Sequence, residues 1–154
     1  MSAYTASVVW SRGDAVFTDN KYARAYTVAF DGGVSIAGSA SPANVPAPYS
    51  QAEAADPEEL LVASVSSCHM LWFIDYARRG GFVLDSYEDA AEGVMGKDER
   101  GKVAFTRITL RPKCAWSGAQ IPDAATLDEL HHKAHEACFI ANSLRCDVKV
   151  EARA

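Results

Sequence analysis

Asp56-Pro57-Glu58-Glu59-Leu60-Leu61-Val62-Ala63-Ser64-Val65-Ser66-Ser67-Cys68-His69-Met70-Leu71-Trp72 is the stretch on which the fold turns. It opens as a helix should. Asp56 is a good N-cap, Pro57 suits the first helical position, and Glu58 and Glu59 complement the positive helix end. The apolar run that follows is predicted to stay helical to about Arg79 and to stop at Gly80-Gly81. From Leu60 to Ile74 it is apolar on most of its circumference, so it must be covered on all sides. It is shorter than the roughly 20 residues of a membrane span and carries serines and a histidine. It reads as a long buried core helix.

Upstream, Ala6 to Trp10 reads as a first strand. Ala25 to Phe30 and Val34 to Ala37 flank Asp31-Gly32-Gly33, a hairpin signal because glycine accepts the positive φ of tight turns. Gly38 to Ala55, rich in proline and small residues, is a long loop. Downstream, Phe82 to Met95 reads mainly as strand, Gly96 to Gly101 as a turn, and Lys102 to Trp116 as one long strand. Leu127, Leu130, His131, Ala134, Ala137, Cys138 and Ala141 recur at helical spacing. A closing strand spans about Cys146 to Ala152. Strands meeting in hairpins around helices argue for an α+β fold with antiparallel sheets, not a doubly wound parallel sheet. The 154 residues suit a single domain, 1–154.

The formal charge of −5 weighs against nucleic-acid binding, which wants a basic face. The start, Met1-Ser2-Ala3-Tyr4-Thr5, has no basic stretch before an apolar core, so the expected compartment is the cytosol. Four cysteines there point to catalysis, metal binding or plain core packing rather than to structural disulfides.

Cys68 lies in the central helix and Cys138 in the second, so folding can bring the two thiols together. Such a pair can run a thiol-disulfide cycle. Taken singly, each is more often a small core residue. Cys68 lies too deep in its helix for the N-terminal dipole to help, so a reactive thiol there needs a cation. Arg12 and Arg24 can supply one. Cys114 and Cys146 fall on strands and read as structural. His131 and His135 are spaced i, i+4 with Cys138 three further on, which resembles metal-ligand spacing. The plainer reading leaves His131 and His132 partly exposed and His135 hydrogen-bonded.

Two motifs carry a family resemblance. Asp56-Pro57-Glu58-Glu59-Leu60 with Cys68 ten residues after Glu58, and Ala134-His135-Glu136-Ala137-Cys138 near the C-terminus, resemble the OsmC/Ohr family of osmotically inducible and organic hydroperoxide resistance proteins. The element order agrees over nearly the whole chain. The resemblance implies an OsmC-like fold, antiparallel sheets around a long buried central helix and a second helix, in an intertwined homodimer. It implies a thiol peroxidase that reduces organic hydroperoxides, with Cys68 peroxidatic and Cys138 resolving. Glu58 matches the acidic residue that holds a catalytic arginine. Arg24 is the choice for that arginine and Arg12 the reserve, since no arginine lies between Arg24 and Arg78. Members often read Cys-Pro where this chain has Cys138-Phe139.

Met70, Trp72, Phe73, Phe139 and Ile140 are the expected pocket walls. The implied partners are the hydroperoxide, a dithiol reductant such as a lipoylated protein, and a second copy of the chain. No cofactor, metal, nucleic acid or membrane is expected. The alternatives are a thiol sensor or small-molecule binder on the same scaffold, or a metal-binding module using His131, His135 and Cys138.

Overall fold

In the computed structural model, which describes residues 2–153, the chain divides into two compact units, the boundary along the chain falling between Leu60 and Leu61. The first holds β1 (Ala6–Val9), β2 (Tyr26–Phe30) and β3 (Ser35–Gly38), an antiparallel sheet in that order. The β2–β3 hairpin turns where Asp31-Gly32-Gly33 predicts. Gly33 has φ +85° and donates its N–H to the Phe30 carbonyl at 3.0 Å. A side chain at Gly38 would overlap the ring of Tyr26, its partner across the sheet. The loop after β3 is tied back by Ser39, whose N–H reaches the Ala55 carbonyl at 3.0 Å.

Helix α1 (Pro57–Arg79) begins at this point. Asp56 accepts from the Glu59 N–H at 2.8 Å, and Glu59 accepts from the Asp56 N–H at 3.1 Å. This reciprocal box satisfies two amides that helix geometry leaves without partners, each cap contributing about 1 kcal/mol. At 23 residues α1 is long and apolar enough, by length and composition alone, to cross a membrane, a correction to the shorter run read from sequence. Only one side of it is buried within the chain, short of the full cover expected from sequence. Val65, His69, Phe73 and Ala77, spaced by four, form one buried stripe. The opposite side of the helix is open: Leu71 keeps 63% of its surface exposed.

From Leu61 onward, α1 is followed by β4 (Val83–Asp89), β5 (Glu92–Lys97), β6 (Val103–Leu110), β7 (Pro112–Ser117), α2 (Ala124–Ala137), α3 (Phe139–Asn142) and β8 (Asp147–Val150). β4 pairs with β7 and β5 with β6, all antiparallel. β8 joins β6 in parallel, the exception to the antiparallel expectation.

The two long strands expected over residues 82–95 and 102–116 are each divided, and their halves enter different sheets. At the break Asp89 accepts the Arg111 N–H at 2.6 Å and the Ser66 hydroxyl at 2.5 Å, while Pro112 brings no N–H of its own. Phe73 and Ala77 of α1 pack with Leu130 and Ala134 of α2 over Trp116 and Tyr87. Val65 packs with Ile108 and Leu110 over Ile140 and Val148. Thus α1 spans both clusters, with α2 beside it.

Candidate functional site

Cys68 lies outside the buried stripe of α1. It is half-buried and lines a cavity of about 450 Å³ whose wall is mostly apolar. Ser64, Leu71, Trp72 and Asp75 lie on the same face of α1, at helical offsets of −4, +3, +4 and +7. Phe139 and Ile140 close the opposite side. Phe139 meets Trp72 edge to face, with ring centroids 5.5 Å apart at 89°. This geometry favours aromatic pairs beyond the area they bury. Asp75 is held by Arg78 at 2.8 Å and Arg79 at 2.7 Å.

Cys138 stands behind this cavity and is fully buried. The sequence reading places it within a helix. It lies instead between two helices, with φ −69° and ψ 105°, closing α2 and opening α3. Its sulfur accepts the Ala141 N–H at 3.4 Å, as a serine oxygen would at an N-cap. No proline is needed for the break. The thiol approaches the Val65 carbonyl at 4.0 Å. Burial pushes the Cys138 thiol up to about 11; the Ala141 amide opposes this shift, and the neighbouring Cys68 adds to it. Both cysteines are free thiols. The result is one thiol open to an apolar cavity and a second, firmly protonated thiol beside it.

Of the expected pocket residues, Trp72, Phe139 and Ile140 line the cavity. Phe73 is wholly buried in the core, stacked on His131 at 4.2 Å, and is not a pocket wall. Met70 does not line the cavity either. Two residues past Cys68, it is rotated about 200° around the helix.

Glu58 and Arg24 belong to the unit that ends at Leu60. One Glu58 oxygen faces the Asn44 amide at 3.4 Å, and the other is buried without a partner. Arg24 donates to the Asn20 and Tyr22 carbonyls at 3.1 and 2.6 Å, and to the Asn20 side chain. Its guanidinium covers the Tyr22 ring at 3.9 Å. Among the described residues no ion pair joins Arg24 to Glu58. Arg12 is exposed and bonds the Ala15 carbonyl at 2.5 Å.

The histidines differ from expectation. His131 is buried, not partly exposed, and His135 Nδ1 has no partner. His131 Nδ1 and His69 Nε2 share a hydrogen bond of 3.1 Å. Burial holds His69 down at about 3 and His131 at about 4. Among the described residues no three His, Cys, Asp or Glu side chains are grouped to hold a metal ion, and Cys138 turns toward Val65. The reading of His131, His135 and Cys138 as a metal module therefore lacks its geometry. Cys114 is half-buried on β7, and burial pushes its thiol up to about 11.

Residues 50–153 match the family model described as OsmC-like protein. An OsmC-like protein of unknown function from Vibrio cholerae has a TM-score of 0.97 at 47% identity, covering 99% of this chain and 100% of its own. The organic hydroperoxide resistance protein OhrB of Bacillus subtilis has a TM-score of 0.70 at 22% identity, covering 99% and 98%. An organic hydroperoxide resistance protein OsmC from Legionella pneumophila has a TM-score of 0.70 at 17% identity, covering 100% and 98%. The last two likenesses are likenesses of fold. No curated protein matches the sequence.

Proposed function

The chain belongs to the OsmC-like protein family, and we propose that it is a thiol peroxidase that reduces organic hydroperoxides to alcohols. A peroxide-directed redox role is what family membership supports. The observation that carries the finer reading is the disposition of the two thiols. Cys68 opens onto an apolar cavity while Cys138 waits buried beside it.

In this reading the Cys68 thiolate attacks the distal oxygen of R–OOH. The O–O bond breaks, the alkoxide leaves and takes a proton as R–OH, and Cys68 becomes a sulfenic acid. The Cys138 thiol then condenses with it, forming the disulfide and releasing water. A dithiol donor, such as a lipoylated protein, restores both thiols by exchange and becomes a disulfide itself. Cys138 held as a thiol suits the waiting role, because it does not compete for peroxide until Cys68 is oxidised.

Arg24 is assigned as the cation that favours the Cys68 thiolate, and Glu58 as the carboxylate that orients it. The partnerless, buried oxygen of Glu58 supports a cation at that place. Arg24 must exchange Asn20 and Tyr22 for Glu58 to take it up.

The test is steady-state turnover with cumene hydroperoxide and with hydrogen peroxide, using dihydrolipoamide as donor. The reading expects kcat/KM to be at least about tenfold higher for cumene hydroperoxide, the scale of apolar discrimination in a pocket. No turnover of either peroxide, in protein whose thiols titrate as free, would overturn it.

A further inference from the structure

The seam between α1 and α2 is lined by Phe73, Ala77, Leu130 and Ala134. Two polar contacts cross it: the His69–His131 bond within the helices, and, where α2 ends, the long contact of the Cys138 thiol with the Val65 carbonyl at 4.0 Å. Among the described residues the His69–His131 bond is the only hydrogen bond between two side chains that joins these helices. His69 is 1% and His131 5% exposed. We propose that this imidazole pair is a positioning link for the thiol pair: it fixes the register of α2 against α1 and so sets Cys138 against Cys68 for disulfide closure. This rests on the reading of Cys68 and Cys138 as a redox pair.

Three observations carry the proposal. First, the link touches both thiol-bearing segments. His69 directly follows Cys68, and His131 lies two turns before Cys138, roughly 10 Å along α2. Cys138 sits at the end of α2, and α3 after it has only 4 residues, so the placing of α2 decides where the sulfur stands. Second, the remaining seam is apolar and includes the small side chains Ala77 and Ala134. Apolar contact resists separation but has no direction, whereas a hydrogen bond is lost when helices slide or rotate. Disulfide closure tolerates little sliding, since Cβ atoms must come to roughly 4 Å.

Third, the pair is a poor device for stability alone. His69 Nδ1 and His131 Nε2 find no partner, so each ring leaves a buried nitrogen unsatisfied. An apolar pair of similar size would pack without that penalty, and what a buried polar pair adds is register. The stack of His131 on Phe73, 4.2 Å apart and 20° from parallel, fixes the ring that makes the bond.

The experiment equilibrates the full chain in glutathione redox buffers. There the two protein thiols and oxidised glutathione exchange to the protein disulfide and two reduced glutathiones. The Cys68–Cys138 bond is read by peptide mass. His131→Leu removes the link and keeps the volume. His131→Asn keeps an amide group near the Nδ1 position. The expected result is an effective concentration of the pair about tenfold lower in His131→Leu, and within about threefold of wild type in His131→Asn. Alkylation of Cys68 by iodoacetamide should change less than about twofold in both. If His131→Leu does not fold, His69→Leu against His69→Gln reads the same link from α1.

Wild-type effective concentration in a folded leucine variant would overturn the proposal. So would an amide variant as poor as the leucine one. Peroxide takes no part in the measurement, so a protein without peroxidase activity could still pass it. Failure of the wild type to form the bond at any glutathione ratio would instead overturn the redox pair and the link together.

Discussion

The Cys138 sulfur lies 4.0 Å from the carbonyl oxygen of Val65, less than one turn ahead of Cys68 on the same helix. The second thiol is therefore docked against the backbone of the helix that carries the first. Cys68→Ser is expected to abolish peroxide turnover. Cys138→Ser should still reduce one equivalent of hydroperoxide, leaving a sulfenic acid at Cys68 that dimedone traps, and then stall with a dithiol donor. Mass spectrometry of the dimedone adduct separates the two. Near wild-type turnover in Cys68→Ser would remove it from the peroxidatic role.

The Trp72–Phe139 pair makes substrate size readable. Phe139 remains 65% exposed, so its contribution is a partial wall. Phe139→Ala should raise KM for cumene hydroperoxide by roughly threefold to tenfold, the yield of losing part of one apolar contact. It should leave hydrogen peroxide, which cannot use that wall, within about twofold. Equal effects on both peroxides would show that Phe139 acts on the Cys138 segment and not on substrate.

Much of this was legible in the sequence, and the misses have particular causes. Asp56-Pro57 and Gly80-Gly81 bracket α1, because caps and glycine breaks are local chemistry. The hairpin at Gly32-Gly33 is local in the same way. The break at Cys138 left no such mark. Ala134, Ala137 and Ala141 keep helical spacing across it, and only the sulfur's bond to the Ala141 N–H shows that a new helix begins. Pro112 carried a signal that the reading of one strand from Lys102 to Trp116 passed over, since a proline cannot donate to the sheet. The helical angle from Cys68 would have excluded Met70 and Phe73 from the cavity wall. The burial of His131 could not be read, because its partner His69 is remote in sequence and meets it only in the fold.

Arg24→Ala should slow attack of Cys68 on peroxide by roughly 10²-fold, the scale of losing one charged donor to the reacting atoms. Arg12→Ala should do less. Single-turnover loss of the Cys68 thiol with cumene hydroperoxide, in protein whose other cysteines are serine, checks it. Equal rates in wild type and Arg24→Ala would pass the role to another cation.

The two buried imidazoles predict acid lability. Burial and its neighbours His131 and His135 hold His69 at about 3. Burial holds His131 at about 4 despite Asp128 and Asp89, which pull it upward. Both lie below the ordinary value of 6.5, so the unfolded chain binds protons that the fold refuses. The stability tied to their neutrality is complete above about pH 6.5 and is lost as pH falls toward 4 for His131 and toward 3 for His69. At pH 5 the loss is at most about 2 kcal/mol per imidazole, from roughly 1.4 kcal/mol per pH unit. Urea unfolding at pH 7 and pH 5 should show it. His69→Gln should lose less between those two values than wild type. An equal loss would place the acid sensitivity on other groups.

The open side of α1 predicts the assembly. One stripe of the helix is covered by its own chain, through Val65, His69, Phe73 and Ala77. Leu71 at 63% and Ile74 at 39% exposure stand outside it, with Phe139 at 65% beside the cavity. Such a surface on a helix this apolar calls for a cover. The expected cover is a second copy of the chain, in a two-fold homodimer burying more than about 2,000 Å², the range of permanent interfaces. Leu71 would then lie in the interface while lining the cavity of Cys68. Leu71→Glu should place an unpaired charge there, weaken association at least about tenfold, and lower peroxide turnover with it. Sedimentation at micromolar concentration checks it, and a monomeric wild type with full activity would rule the dimer out as a requirement.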